Sequence, residues 1–212
     1  MSQSPDFEAL WRHFLAQFAA QVPGFKLDAH NESVYRRLLA HFAGDAPTQT
    51  ALGLDPGKGI LLLGPVGCGK TAAMRFFERN ARTAYRVVPA RDVARRFLTE
   101  GFAVLDRYGA QAFMARSYGA GHGPDHRHPV TYCFDDLGVE QNARLYGNEC
   151  NVLAEILLDR YDRFVTHRMR THLTSNLNAS ELETLYGDRL RSRLREMCNV
   201  LSFPTTAPDR RR

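Results

Sequence analysis

"KGILLLGPVGCGKT", residues 58–71, decides the fold. Its first half is a short apolar run, the composition of a strand buried on both faces. Its second half sets Gly64, Gly69, Lys70 and Thr71 in the spacing G-x-x-x-x-G-K-[ST]. The continuation "KTAAMRFFERN" reads as a helix. Strand, glycine loop and helix in that order are the context in which this motif cradles phosphate. Glycines let backbone N–H groups turn inward around phosphate oxygens, and the helix N-terminus adds its dipole. Gly64, Pro65, Val66, Gly67, Cys68, Gly69, Lys70, Thr71 and Ala72 are the candidate nucleotide-binding residues. Lys70 is expected to reach the β- and γ-phosphates as a point charge, and the Thr71 hydroxyl to ligate Mg²⁺. ATP and Mg²⁺ are thus the expected cofactors.

Beyond residue 60 short apolar runs alternate with longer helical stretches. The runs are "ILLL" (60–63), "YRVVP" (85–89), "VTYCF" (130–134), "THLTS" (171–175) and "NVLSF" (199–203). Their spacing suits crossover helices between parallel strands. The fold class expected is α/β, a three-layer domain with a five-stranded parallel sheet. The third run leads straight into Asp135 and Asp136. The first acid can hold Mg²⁺ and the second can polarise an attacking water, although paired acids also serve as helix caps. Asn176 falls just past the fourth run, where an amide can orient that water or touch the γ-phosphate; Asn is also a common turn residue. Before the last run, Arg189, Arg191, Arg193 and Arg195 crowd a short helix. An arginine lent to a neighbouring subunit's nucleotide stabilises transition-state charge. A solvated basic face is the competing reading, and alternate spacing puts these arginines on different faces.

Upstream, Phe7, Leu10, Trp11, Phe14, Leu15, Phe18 and Val22 recur at helical period until Pro23-Gly24. A second helix is expected through "NESVYRRLLAHFAG" (31–44), capped by Asn31 or Ser33, and a loop over 44–59. The expected organisation is an N-terminal helical extension (1–45), an ATP-binding domain (46–206) and a disordered basic tail (207–212). The 212 residues carry a formal charge of +5, nearly all of the basic side chains being arginine. That permits a nucleic-acid partner without demanding one. The start of the chain lacks the basic-then-apolar order of a signal peptide, and no apolar run spans a membrane, so a cytoplasmic location with no membrane partner is expected. Cys68, Cys133, Cys150 and Cys198 include no C-x-x-C pair. His122, His126 and His128 sit in the Gly/Pro-rich stretch 119–129, read as a loop rather than a metal site.

Together "KGILLLGPVGCGKT", "CFDDLG", "THLTSNL" and "GDRLRSRLRE", in this order, resemble the AAA+ ATPases. Within them the chain resembles the DnaC/IstB-like group of bacterial helicase loaders and transposition helper ATPases, over about residues 55–205. "RLRSRL" is similar to the arginine-finger segment of initiators such as DnaA, which marks Arg193 as the finger and Arg189 as second choice. The resemblance implies strand order 5-1-4-3-2, ATP bound between subunits, self-association through that interface, and a reduced or absent C-terminal lid. It further implies a replicative helicase or a transposase as partner, with single-stranded DNA as a possible ligand. Arg95 and Arg96, in the extra helix implied between the second and third strands, are candidates to touch phosphates, a plain amphipathic helix being the competing reading, and Arg160 is a further candidate to act across the interface. One departure stands out: Asp136 replaces the customary Glu, which implies slow or partner-dependent hydrolysis. The alternatives are a nucleotide-dependent binding module with little turnover and, less in keeping with Asn176 and Arg193, a small-molecule kinase.

Overall fold

The computed structural model describes residues 7–80, 82–115, 127–140, 143–145 and 148–211. Along the chain come α1 (Phe7–Gln21), α2 (Glu32–Ala43), α3 (Ala46–Ala51), β1 (Gly59–Leu63), α4 (Lys70–Phe77), β2 (Arg86–Pro89), α5 (Ala90–Glu100) and α6 (Ala103–Tyr108). Then follow β3 (Phe113–Ala115), β4 (Arg127–Pro129), β5 (Tyr132–Leu137), β6 (Ala143–Leu145), β7 (Asn148–Cys150), α7 (Val152–His167), β8 (Thr171–Ser175), α8 (Ala179–Met197) and β9 (Cys198–Ser202). The five main strands pair in parallel in the order β9-β1-β8-β5-β2. Numbered by occurrence, that is 5-1-4-3-2, the order expected. β3–β4 and β6–β7 are antiparallel pairs of three residues per strand, too short to leave a period in the sequence.

Alternation along the central strand builds the three layers. Ile60 and Leu62 face a core made with α1, α2 and α4, where Trp11, Phe14, Phe18, Tyr35 and Phe77 are buried. Leu61 faces the opposite core, formed with α5, α6, α7 and α8. Side chains two apart on a strand share a face, so one strand feeds both cores. The N-terminal pair α1–α2 therefore shares its core with β1 and the helix after the phosphate loop. Phe14 lies 5.5 Å from Phe77, ring stacked on ring.

Arg160 corrects the expectation of a cross-interface role. It is fully buried on α7 and ties that helix to α6, to the segment before β5 and to the start of β8. Its Nε donates to Thr171 Oγ1 (2.7 Å), Nη1 to the Tyr108 carbonyl (2.8 Å), and Nη2 to the carbonyls of Val130 (3.0 Å) and Arg170 (2.7 Å). The guanidinium also faces the rings of Tyr132 and Phe134 at 5.3 and 5.8 Å. Burial pulls its pKa down to about 9, so it stays charged at neutral pH. The planar fork fits four fixed acceptors, a structural task within one subunit.

The tail also departs from expectation. Ala207 is buried, and the Arg210 N–H donates to the Gly67 carbonyl at 3.1 Å. Residues 207–211 thus lie against the phosphate loop; Arg212 is outside the described residues. Residues 203–211 contain no helix. Gly101 divides the stretch after β2 into α5 and α6. No helix among the described residues is long and apolar enough to cross a membrane.

Candidate nucleotide-binding site

The site forms at the carboxyl ends of the parallel strands, where open α/β sheets place their ligands. Gly67 and Gly69 take φ of 78° and 107°, a region that side-chain-bearing residues enter only with strain. The loop they form ends at Gly69, the N-cap of α4. Lys70 Nζ donates to the carbonyls of Gly64 (2.7 Å) and Pro65 (2.9 Å) and to Asn176 Oδ1 (2.5 Å). Burial lowers the Lys70 pKa from its ordinary value. Asn176 reaches this lysine because β8 ends at Ser175 and Asn178 caps α8 in a capping box with Glu181.

Asp135 accepts from the Thr71 hydroxyl (3.0 Å) and from the Thr174 hydroxyl (2.7 Å). A hydroxyl and a carboxylate at that separation are the donor set that Mg²⁺ takes in phosphate-loop proteins. Adjacent strand residues normally point to opposite faces, yet Asp135 and Asp136 line the same cavity. The cause is a break in the β5–β8 register between Phe134 and Leu137, with Asp136 in the left-handed region at φ 59°. The Asp136 N–H donates to Thr174 Oγ1 at 2.8 Å, so one threonine holds both acids. Burial, and then the charge of Asp135, raises the Asp136 carboxyl above its ordinary pKa.

The cavity holds about 940 Å³, ample for a nucleoside triphosphate. Lys70, Arg75, Arg91, Arg210 and Arg211 line it against the two aspartates, a positive excess suited to a polyphosphate. Its opposite wall is apolar: Phe18, Val22, Phe25 and Phe76, from α1, the linker 22–31 and α4. The residue pattern gave no sign of this wall, because it reaches the loop only through tertiary packing. Neither did it assign a place here to Arg210 and Arg211.

Gly64, Gly67, Cys68, Gly69, Lys70, Thr71, Asp135, Asp136 and Asn176 come together around the loop. Val66 is exposed at its tip. Cys68 is buried, and burial raises its thiol pKa, which leaves it a packing residue rather than a reactive one. Arg193 and Arg189 do not line their own chain's cavity. Gly187, at φ 81° and ψ 160°, breaks α8. On the second piece Arg189 and Arg193 share a face at i,i+4, while Arg191 pairs with Glu183 at 2.6 Å. Arg193 lies over the Tyr161 ring at 4.6 Å and 3.9 Å from Asp162, and Arg189 is exposed. Arg95 and Arg96 are exposed on α5. His128 is exposed on β4, and His122 and His126 lie outside the described residues. No cluster of metal-binding side chains occurs among the described residues.

A phosphate loop after the central strand, acids at the end of its second neighbour and strand order 5-1-4-3-2 make a P-loop-type α/β fold with the strand order expected. Among solved structures, the DnaC helicase loader matches with TM-score 0.52 at 18% identity, over 91% of this chain and 99% of that one. A DNA replication initiation factor matches with TM-score 0.52 at 14% identity, over 84% of this chain and 47% of that one. No family model and no curated protein matches the sequence.

Proposed function

We propose that the chain is an ATP-hydrolysing AAA+ protein of the DnaC/IstB-like kind, which loads or remodels a DNA-associated partner, a replicative helicase first and a transposase second. The observation that carries the reading is the meeting of Lys70, Thr71, Asp135, Asp136 and Asn176 around one cavity. The backbone of residues 64–72 and Lys70 would hold the phosphates; Thr71 and Asp135 would hold Mg²⁺, which neutralises phosphate charge. Asp136 and Asn176 would orient the water. That water attacks the γ-phosphorus, the bond to the bridging β–γ oxygen breaks, and ADP and phosphate leave as the water's proton passes to solvent or phosphate. A small-molecule kinase would instead hand the phosphoryl group to an acceptor.

The test is ATP hydrolysis by the purified chain, alone and with single-stranded DNA or the replicative helicase of the same cell. Stimulated release of phosphate, lost in Lys70→Ala, is expected. ATP consumption that phosphorylates a small molecule and releases no phosphate would overturn the reading.

A low-turnover nucleotide switch is the second reading, favoured by the short side chain of Asp136 on its left-handed backbone. It predicts that Asp136→Glu raises kcat by about 10-fold, part of the ~10²–10⁴ that a placed base contributes. Single-turnover rates of wild type and variant decide it: equal rates would assign slow turnover, if observed, to something other than acid length.

A further inference from the structure

The C-terminal segment is built into the nucleotide cavity. Ala207 anchors it. The Asp209 carboxylate packs on the phosphate loop so closely that a Cβ on Gly67 would lie 2.0 Å from its Oδ1. Arg210 then bridges the cavity's two walls. Its N–H donates to the Gly67 carbonyl, Nη1 to the Lys26 carbonyl (3.2 Å), and Nη2 to Asp28 Oδ2 (2.6 Å). Lys26 and Asp28 belong to the linker between α1 and α2, which fully buried Asn31 braces by bonding the Asp28 N–H and the Lys26 carbonyl. The Arg211 N–H bonds Asp209 Oδ1 at 3.0 Å, which sets where its side chain departs.

Arg211 lines the cavity with Gly67, Gly69, Lys70, Thr71 and the two aspartates. Among the described residues it makes no ion pair. Arg210 Nε is buried with no hydrogen-bond partner among the described residues. Ordering four tail residues costs backbone entropy, and gathering like charges around Lys70 costs Coulomb energy. A polyanion in the cavity lowers the Coulomb cost and offsets the ordering cost through its own contacts.

We propose that Arg211 is a phosphate ligand supplied in cis by the chain's own C-terminal segment, with Arg210 as the tether that positions it. The proposal rests on the reading of the cavity as a nucleoside triphosphate site. It assigns to an extended tail a phosphate-facing cation that no helix after β9 provides in residues 203–211.

The test is calorimetric titration of the full chain with ATP, ADP and adenosine. Arg211→Ala should weaken ATP by about 10-fold, the value of one charge-assisted hydrogen bond, weaken ADP less and leave adenosine unchanged. Arg211→Lys should recover part of the loss. Arg210→Ala should show the same phosphate-graded loss, because the tether is gone. Unchanged ATP affinity in Arg211→Ala would overturn the proposal and leave the nucleotide reading intact. Equal losses for all three ligands would also overturn it, by marking a general disturbance of the fold. Wild type that binds no ATP, or binds it as well in Lys70→Ala, would overturn the underlying reading instead.

Discussion

Arg193→Ala should bind ATP as the parent chain does and lose most of its turnover. Arg193 lies on the outer face of the second piece of α8, against Tyr161 and Asp162 of α7, and does not line its own cavity. On the proposed reading it serves the triphosphate of a neighbouring copy. Fingers supplied in trans are worth ~10³–10⁵ in rate where they have been measured, so a loss of at least ~10²-fold in kcat is expected here. Lys70→Ala should be silent for the complementary reason, since its own site cannot hold the phosphates. Mixed in equal amounts, the two variants should recover part of the activity: some interfaces then join an intact loop to an intact finger. Steady-state phosphate release from the mixture measures this, and a mixture no more active than its components removes the trans role. Arg189, at i−4 on the same face, should cost less when replaced.

Arg160→Ala should be the most damaging single change to the fold. It strands three carbonyls and the Thr171 hydroxyl at once, and opens a cavity where a fully buried arginine sat. Breaking a buried charged network of this kind costs about 3–5 kcal/mol, a large share of a typical domain's stability. Urea unfolding should register it as a lower midpoint at unchanged slope. Arg160→Lys should recover less than half of the loss, because an ammonium cannot span four acceptors on three segments as a planar fork does. A midpoint within experimental scatter of the parent would return Arg160 to the list of surface candidates.

These two arginines show what the sequence makes legible and what it hides. Arg193 stood out because "RLRSRL" is a local pattern, and so did the phosphate loop, whose chemistry is confined to eight consecutive residues. Asp135, Asp136 and Asn176 were legible because each follows a short apolar run, and parallel strands bring their carboxyl ends together. The run 171–175 coincides with β8, whereas β5 continues through the acids to Leu137. Arg160 was misread because a charged residue in a helical pattern looks solvated; four acceptors from Tyr108, Val130, Arg170 and Thr171 carry no mark in the sequence around it. The aromatic wall of the cavity was hidden for the same reason. Phe18 and Phe25 read as ordinary core residues, and only the packing of the α1–α2 linker beside the loop gives them a ligand-facing edge. The basic tail resembled any frayed end until Gly67 and Asp28 were seen to hold it.

The bend at Asp136 has a bearing on how that position tolerates change. Asp and Asn enter the left-handed region readily, whereas longer side chains pay ~1–2 kcal/mol there. The acid's length and the backbone's course are therefore one choice. A glutamate would reach further toward the water, the gain in rate predicted above, and would meet it with a less stable bulge, so Asp136→Glu should trade stability for turnover. An asparagine would keep the bulge and surrender only the charge. On the proposed reading, the amide variant is the natural means of holding the chain in its triphosphate-loaded form.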